Sequence, residues 1–324
     1  MLRNRHATLN WKPRRMIHRT AATLALVCAI ACSSATAQSI PSDTISLRYD
    51  EKLAALGFPS PLLRATVNHQ SAWFLIDTGA SVHTLASWLV SAAQLSTRET
   101  TATVTGSTGT GKPVRGVANQ KIRLEGGRQL ELREAIVVEF PGNFAKNKIG
   151  GLLSPQLLAT GSEASVLDLK GPTLRFEPFD SAVTNLGRGR TMSSAGLHVC
   201  LNAQSPFENR LYTVPVTADT IAGTMLVDTG ATSTLAAPSS SIAGALKGRA
   251  SERTKARGVG GNAQVMAKVP GVKLEYGGAS STLAVTIGGA QPPCEADGLI
   301  GMDALRRCVF VLGETAFAWS CDAD

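Results

Sequence analysis

The sequence predicts an all-β protein made of two copies of one unit, packed side by side with a cleft between them. The same series of motifs occurs twice, in the same order, along the 324 residues. Within each copy, short runs rich in valine, isoleucine and leucine are separated by glycine, proline and asparagine roughly every 8–12 residues, a pattern typical of β-sandwiches and barrels. Helical periodicity is scarce, so the duplication and the strand pattern together give the fold class.

The repeated unit has a fixed order of elements. Each copy begins with an extended segment and an Asp-Thr-Gly motif, continues through a glycine-rich stretch and further strands, and ends in a short apolar hairpin. Asp77 lies 74 residues before Gly151, and Asp228 lies 70 residues before Gly298. This near-equal spacing indicates two copies of one unit rather than two unrelated motifs.

Domain boundaries follow from the composition between the copies. Residues 180–196 are polar and rich in glycine and serine, which predicts a linker. The first lobe then covers residues 38–179 and the second lobe covers residues 197–324. The clearest candidates for helices are short and lie at residues 87–92, 155–159 and 304–307.

The composition is that of a globular protein, with 44% hydrophobic residues and a formal net charge of +8. Residues 1–37 hold six basic side chains and no acidic one, which leaves 26 basic against 24 acidic residues in the remainder. A nearly balanced body does not favour a polyanion as a partner. We therefore predict no nucleic-acid partner.

The N-terminal segment has the layout of a secretory signal. A basic stretch precedes an apolar run at residues 21–31 and the small residues Ala35-Thr36-Ala37, which predicts a cleaved signal peptide over residues 1–37. Two alternatives stay open: the run remains as a membrane anchor, or Ala29-Ile30-Ala31-Cys32 is a lipoprotein site. In every version the body is exported, periplasmic or secreted, and a membrane is a partner only if the segment is retained or lipidated.

Four cysteines lie outside the leader, an even number that suits an oxidising compartment. They are Cys200, Cys294, Cys308 and Cys321. The last two flank two apolar runs joined by a short turn, so a hairpin there would set Cys308 opposite Cys321. A buried thiol and a bridge to one of the other two cysteines remain alternatives, because four cysteines allow three connectivities.

Each Asp-Thr-Gly motif directly follows an apolar strand, so Asp77 and Asp228 both stand where a buried strand ends. A charged group at such a place is costly unless it functions or is well paired. The glycine permits a tight turn that brings N–H groups toward the carboxylate, and the threonine hydroxyl can tie one loop to its counterpart. The predicted supporting residues are Thr78, Gly79, Thr229 and Gly230.

With these motifs the chain resembles the pepsin and retropepsin superfamily of aspartic proteases, as a single chain with two retropepsin-like halves. The resemblance covers essentially the whole mature chain, in the order Asp-Thr-Gly, flap, then hydrophobic-hydrophobic-Gly. The second half has the last element intact as Leu299-Ile300-Gly301. The first half departs from it, because Leu152-Leu153 is followed by Ser154.

The resemblance implies two acid-protease lobes, barrel-like and all-β, with the active-site cleft between them. It implies an aspartic endopeptidase in which Asp77 and Asp228 share a proton and activate one water molecule, with no metal or organic cofactor. Because one chain carries both motifs, it implies a monomer that acts on a peptide or protein in extended conformation. The alternative is a catalytically silent or highly restricted peptide-binding member of the same fold. Ser154 and the unusual flaps are the features that favour it.

The glycine-rich stretches fall where the superfamily has its flaps, and neither contains a tyrosine. The flap glycines that we expect to cover the substrate are Gly106, Gly109, Gly111, Gly258 and Gly260. Both stretches are basic, which fits either acidic substrates or ordinary solvated loops.

The two Asp-Thr-Gly motifs continue with Ala80 and Ala231, where many relatives have a residue with a hydroxyl donor. Loss of a donor to the ionised aspartate raises the pKa of that aspartate. We therefore expect a mildly acidic to near-neutral optimum.

Two further motifs carry no function in this interpretation. The stretch from Gly106 to Lys112 nearly fits a nucleotide-binding loop, but Pro113 stands where a hydroxyl must bind magnesium. His83 has no cluster of metal-ligating residues at a suitable spacing, so we interpret it as an ordinary packed or surface residue.

Overall fold

Strands dominate the structure, a computed structural model that describes residues 44–105, 111–140, 142–189, 192–194, 198–200, 210–257 and 263–322. The strands of the first half are β1 (Ile45–Ser46), β2 (Leu62–Val67), β3 (Gln70–Ile76), β4 (His83–Ala86), β5 (Arg98–Thr105), β6 (Gly111–Leu124), β7 (Gln129–Val138), β8 (Ile149–Leu153), β9 (Glu163–Asp168) and β10 (Thr173–Pro178). Those of the second half are β11 (His198–Cys200), β12 (Leu211–Ala218), β13 (Ile221–Val227), β14 (Leu235–Ala236), β15 (Glu252–Arg257), β16 (Ala263–Tyr276), β17 (Ala279–Ile287), β18 (Gly298–Ile300), β19 (Cys308–Leu312) and β20 (Phe317–Cys321).

Each half builds one sheet with the same topology. The first lobe has the strand order β2-β3-β8-β4-β7-β6-β5, and the second has β12-β13-β18-β14-β17-β16-β15 with β11 added beside β12. An additional pairing of β2 with β6, and of β12 with β16, closes each sheet on itself into a barrel-like lobe. The prediction of a duplicated all-β fold is confirmed.

A third sheet, which we call the floor sheet, takes strands from both halves in the order β1-β10-β9-β19-β20. Its central pair, β9 and β19, is antiparallel and places Leu167 opposite Phe310. Phe310, Phe317 and Trp319 pack their rings against one another on this sheet and are buried. The two lobes therefore share a continuous hydrophobic core.

The described helices are short. They are α1 (Glu51–Ala55), α2 (Ser87–Ala92), α3 (Gly142–Lys146), α4 (Phe179–Gly187), α5 (Ser241–Leu246) and α6 (Met302–Leu305), with 3-10 turns at Pro155–Leu157 and Lys247–Arg249. Helix α2 has the predicted bounds. The helix predicted at residues 155–159 is the 3-10 turn Pro155–Leu157, and the helix predicted at residues 304–307 is α6. Both differ from their predicted bounds by no more than two residues.

Helix α4 occupies the first part of the segment that we predicted as a linker. Phe179, Ala182, Val183 and Leu186 follow the helical spacing i, i+3, i+4, i+7 and pack against apolar side chains of the floor sheet. The glycine and serine content of residues 180–196 concealed this periodicity in the sequence.

Two disulfides lie in the second half. One joins Cys308 to Cys321 across β19 and β20, with 4.0 Å between their Cα atoms. The other joins Cys200 to Cys294, with 5.9 Å between their Cα atoms. Such bonds are typical of proteins in an oxidising compartment, which indicates an exported chain.

The predicted leader at residues 1–37 lies outside the described residues, so its cleavage, retention or lipidation stays a prediction. Across the described ranges, no helix combines the length and the apolar character that crossing a bilayer requires.

Candidate active site

The two Asp-Thr-Gly motifs stand at equivalent strand ends. Strand β3 runs parallel to β8, and the amide of Asp77 donates to the carbonyl of Leu153 at 2.9 Å. Strand β13 runs parallel to β18, and the amide of Asp228 donates to the carbonyl of Ile300 at 3.1 Å. We call residues 77–82 the Asp77 loop and residues 228–233 the Asp228 loop. Paired strands thus fix the start of both loops.

The predicted threonines lock the two loops together. Thr78 Oγ1 donates to the carbonyl of Val227 at 2.9 Å and accepts from the amide of Thr229 at 3.0 Å. In the reciprocal arrangement, Thr229 Oγ1 donates to the carbonyl of Ile76 at 2.7 Å and accepts from the amide of Thr78 at 3.0 Å. Both threonines are fully buried. Four hydrogen bonds therefore cross the boundary between the lobes directly beneath the aspartates.

The predicted glycines make room for the opposing carboxyl groups. A β-carbon on Gly230 would lie 2.5 Å from Asp77 Oδ2, and one on Gly79 would collide with the carboxyl group of Asp228. Each glycine amide also donates to the aspartate of its own loop, at 2.9 Å in the first lobe and 2.8 Å in the second. The sequence-predicted residues of both motifs therefore come together as one site.

Burial and mutual repulsion shape the ionisation of this pair. Asp77 is only 9% exposed, and Asp228 is partly exposed. Burial raises the pKa of Asp77 well above its usual range, and the charge of Asp228 adds to the increase. Burial also raises the pKa of Asp228. Two carboxyl groups in such a place hold one proton between them.

Backbone amides oppose this increase in both loops. The amides of Gly230 and Ala231 both donate to Asp228 Oδ1, at 2.8 and 3.1 Å, and these bonds oppose the increase in its pKa. In the Asp77 loop the amide of Gly79 donates to Asp77 Oδ1 at 2.9 Å, and the backbone hydrogen bonds of Gly79 and Ala80 likewise oppose the increase in the pKa of Asp77. Either carboxyl group can therefore be stabilised in its ionised form while the other holds the shared proton.

Ser154, the departure from the superfamily pattern, is accommodated by hydrogen bonds. Its hydroxyl donates to the carbonyl of Ala80 at 2.7 Å, its amide donates to His83 Nδ1 at 3.1 Å, and its side chain is fully buried. At the corresponding place in the second half, a β-carbon on Gly301 would lie 2.7 Å from the carbonyl carbon of Ser233. The first half has space for this side chain where the second does not.

The hairpins that we predicted as flaps are described only in part. Strands β5 and β6 form one hairpin, β15 and β16 form its counterpart, and β6 and β16 each have 14 residues. Gly111 is the first residue of β6 and lies opposite Thr105. The other four predicted flap glycines, Gly106, Gly109, Gly258 and Gly260, lie outside the described residues.

A known protein family matches the sequence of both halves. The sequence model of a family described as aspartyl protease matches residues 63–155 and again residues 214–304. Each match contains one Asp-Thr-Gly motif. The chain belongs to the aspartyl protease family. No curated protein matches the chain.

Two buried residues beneath the Asp77 loop were not singled out in the sequence. Gln156 contacts the loop, and Arg210 contacts Gln156. Aligning GLLSPQLL with GLIGMDAL places Gln156 opposite Asp303, which was the available signal for the first of them. In the described ranges, no group of three or more His, Cys, Asp or Glu side chains is placed to hold a metal ion.

Proposed function

We propose that this chain is an aspartic endopeptidase that hydrolyses peptide bonds with a water molecule held between Asp77 and Asp228. The observation that carries the proposal is the pair of carboxyl groups, each packed against the glycine of the opposite motif. Rigid placement of two acids with opposed protonation states is what general acid–base catalysis requires. Membership of the family supports the same reaction.

The proposed reaction begins with the ionised member of the Asp77–Asp228 pair as the base. It takes a proton from the water as the water oxygen attacks the scissile carbonyl carbon, while the protonated member gives its proton to the developing oxyanion. The resulting tetrahedral diol collapses as the C–N bond breaks: the proton taken from the water passes to the leaving amine, and one diol hydroxyl returns its proton to the other carboxylate as the new carboxyl group forms. The pair ends with one proton, as it began, and no covalent acyl-enzyme forms.

The proposed substrate is a peptide or protein segment in extended conformation. Hairpins β5–β6 and β15–β16 occupy equivalent places in the two lobes, where backbone groups can add to an extended chain as a strand does. Both hairpins would then cover the substrate. The two disulfides support action outside the cytoplasm.

Cleavage of a mixed peptide library between pH 3 and pH 8 tests this proposal. The protein from Gln38 onward should cleave with a mildly acidic to near-neutral optimum, and a pepstatin-type inhibitor should stop it. Asp77→Asn and Asp228→Asn should each abolish cleavage. Asp219→Asn is the matched control, because Asp219 lies at the β12–β13 turn and bonds to Lys273 and Arg249.

A folded wild-type protein that cleaves no peptide would contradict the proposal. Binding of the inhibitor or of peptides without cleavage would then favour the alternative, a silent or highly restricted peptide-binding member. Cleavage that survives both aspartate substitutions would place the chemistry elsewhere.

A further inference from the structure

Gln156 lies beneath the Asp77 loop as a fully buried amide. Its Nε2 is within hydrogen-bonding distance of three carbonyl oxygens: Thr78 at 3.1 Å, Ala80 at 3.1 Å and Arg210 at 2.8 Å. Two of these carbonyls belong to the Asp77 loop on either side of Gly79, whose amide donates to Asp77. Because the amide nitrogen carries two protons, one of its bonds is shared. The side chain therefore ties both ends of the turn to a point in the second lobe.

Arg210 completes the contact from the other side. Its side chain is only 6% exposed, Nη1 donates to the carbonyl of Gln156 at 3.0 Å, and Nη2 lies 3.5 Å from Glu314 Oε1. A buried guanidinium is costly unless its donors are paired. Each of the two residues thus bonds its side chain to the main chain of the other, and Glu314 links them to the turn of the β19–β20 hairpin.

The second half supports its catalytic loop differently. Asp303, the residue opposite Gln156 in the repeat, accepts from the amide of Thr234 at 3.0 Å and from its hydroxyl at 2.8 Å. Thr234 in turn accepts from the amide of Gly301 at 3.3 Å. These residues all lie in the second lobe and hold Thr234, which directly follows the Asp228 loop, whereas Gln156 reaches across to Arg210 of the other lobe.

We propose that Gln156 and Arg210 are positioning residues that hold the Asp77 loop in register with the opposite lobe. The proposal rests on the proposed function for its kinetic consequence, but the bracing itself is independent of catalysis. Without the amide of Gln156, the loop would keep the threonine bonds at Thr78 but would lose the tie from its Thr78 and Ala80 carbonyl groups to Arg210. Small errors in the placement of reacting groups cost up to about 100-fold in rate, so kcat should fall while KM stays nearly constant.

Substitutions of Gln156 separate its donor role from its volume. Gln156→Met keeps the size of the side chain and removes both donors, so kcat should fall about 10- to 100-fold at every pH. Gln156→Glu places a carboxylate against three carbonyl oxygens near neutral pH, but it can donate one bond once protonated. Its activity relative to wild type should therefore recover as the pH falls. If Gln156 acted only through its volume and not as a donor, both variants would have the same pH profile.

Hydrogen–deuterium exchange of residues 77–84 tests the bracing without any substrate. In Gln156→Met and in Arg210→Met we expect exchange about 10-fold faster or more in this segment, with the floor sheet unchanged. Arg128→Met is the matched control, because Arg128 pairs with Glu163 at 2.7 Å and stacks on Phe176 away from the loop. If Gln156→Met does not fold, Gln156→Asn replaces it, because this variant keeps the amide on a shorter side chain. Its exchange is then compared with that of wild type and of the Arg128→Met control.

Unchanged exchange in both variants would overturn the bracing, as would an equal acceleration in the Arg128→Met control. A wild-type protein that cleaves nothing but shows the expected exchange would overturn the proposed function and leave the bracing supported. Faster exchange with unchanged kcat in an active protein would overturn the catalytic importance of the brace.

Discussion

His83 shows how a single side chain can make this site sensitive to acid. It is buried at 3% exposure, and its Nδ1 accepts from the amide of Ser154, which leaves the proton of the neutral ring on Nε2. Burial lowers the pKa of His83 to about 4. Protonation would add a charge in the interior and turn the accepting nitrogen into a donor. The neutral ring is therefore the form that supports the Asp77 loop.

The pH dependence of stability tests this role of His83. The unfolded chain takes up the proton near pH 6.5 and the folded chain only near pH 4, so the free energy of unfolding falls as the pH drops through this window. The loss should be about 3 kcal/mol by pH 4 from this residue alone. In His83→Thr, which copies Thr234 of the second half, this part of the pH dependence should vanish. Denaturant unfolding at pH 7 and pH 4 measures it, and equal losses in both proteins would contradict the assignment.

The aspartates change the free energy of unfolding with pH in the opposite direction from His83. Burial raises the pKa of Asp77, so its ionisable carboxyl group costs stability that is absent below the unfolded pKa and grows as the pH rises through the folded pKa. Asp77→Asn should therefore lower kcat by about 100-fold or more and raise the free energy of unfolding at pH 7. The gain should disappear near pH 3, where the unfolded carboxyl group is also protonated. Denaturant unfolding of wild type and variant at both pH values measures it, and a variant that is less stable at pH 7 would contradict this account.

The residues that sequence reasoning found are those whose role is local or repeated. Asp77 and Asp228 were found because the motif occurs twice at equivalent strand ends. Gln156 was missed because its role depends on carbonyl groups from two distant parts of the chain, which no local pattern records. Ser154 was recognised as a departure, but only the structure supplies its acceptor, the carbonyl of Ala80.

At the scale of elements, short apolar runs and turn residues predicted the all-β class, whereas helix α4 was concealed by its composition. The two disulfides join residues that are separated by different lengths of chain. Cys308–Cys321 closes a separation of 13 residues between adjacent strands, and Cys200–Cys294 closes one of 94 residues between β11 and the segment before β18. The hairpin pattern suggested the first pairing, but local sequence held no sign of the second.

The difference in loop length predicts a difference in stability. A longer closed loop constrains the unfolded chain more, by about 2 kcal/mol for these two separations in the chain-entropy treatment. Replacing Cys200 and Cys294 by alanine should therefore lower the free energy of unfolding more than replacing Cys308 and Cys321. Denaturant unfolding of the two double variants measures this. The reverse order would show that packing around the sulfur atoms outweighs chain entropy.

At the scale of the whole molecule, the duplication explains why the two lobes work as one unit. The floor sheet takes β9 and β10 from the first half and β19 and β20 from the second, so neither half completes it alone. The threonine bonds and the Gln156–Arg210 contact join the halves again at the site. The sequence predicted the repeat but not the shared sheet, because strand pairing between halves depends on register rather than on local pattern.

The central claim is that one carboxyl group from each lobe acts as a single catalytic unit. A double-mutant cycle on kcat tests it most directly, with Asp77→Asn, Asp228→Asn and the variant that carries both. We predict that each single substitution lowers kcat as far as the double substitution does, because half of a dyad cannot perform the reaction. Losses that add independently, or one single variant that keeps most of the activity, would contradict the shared dyad.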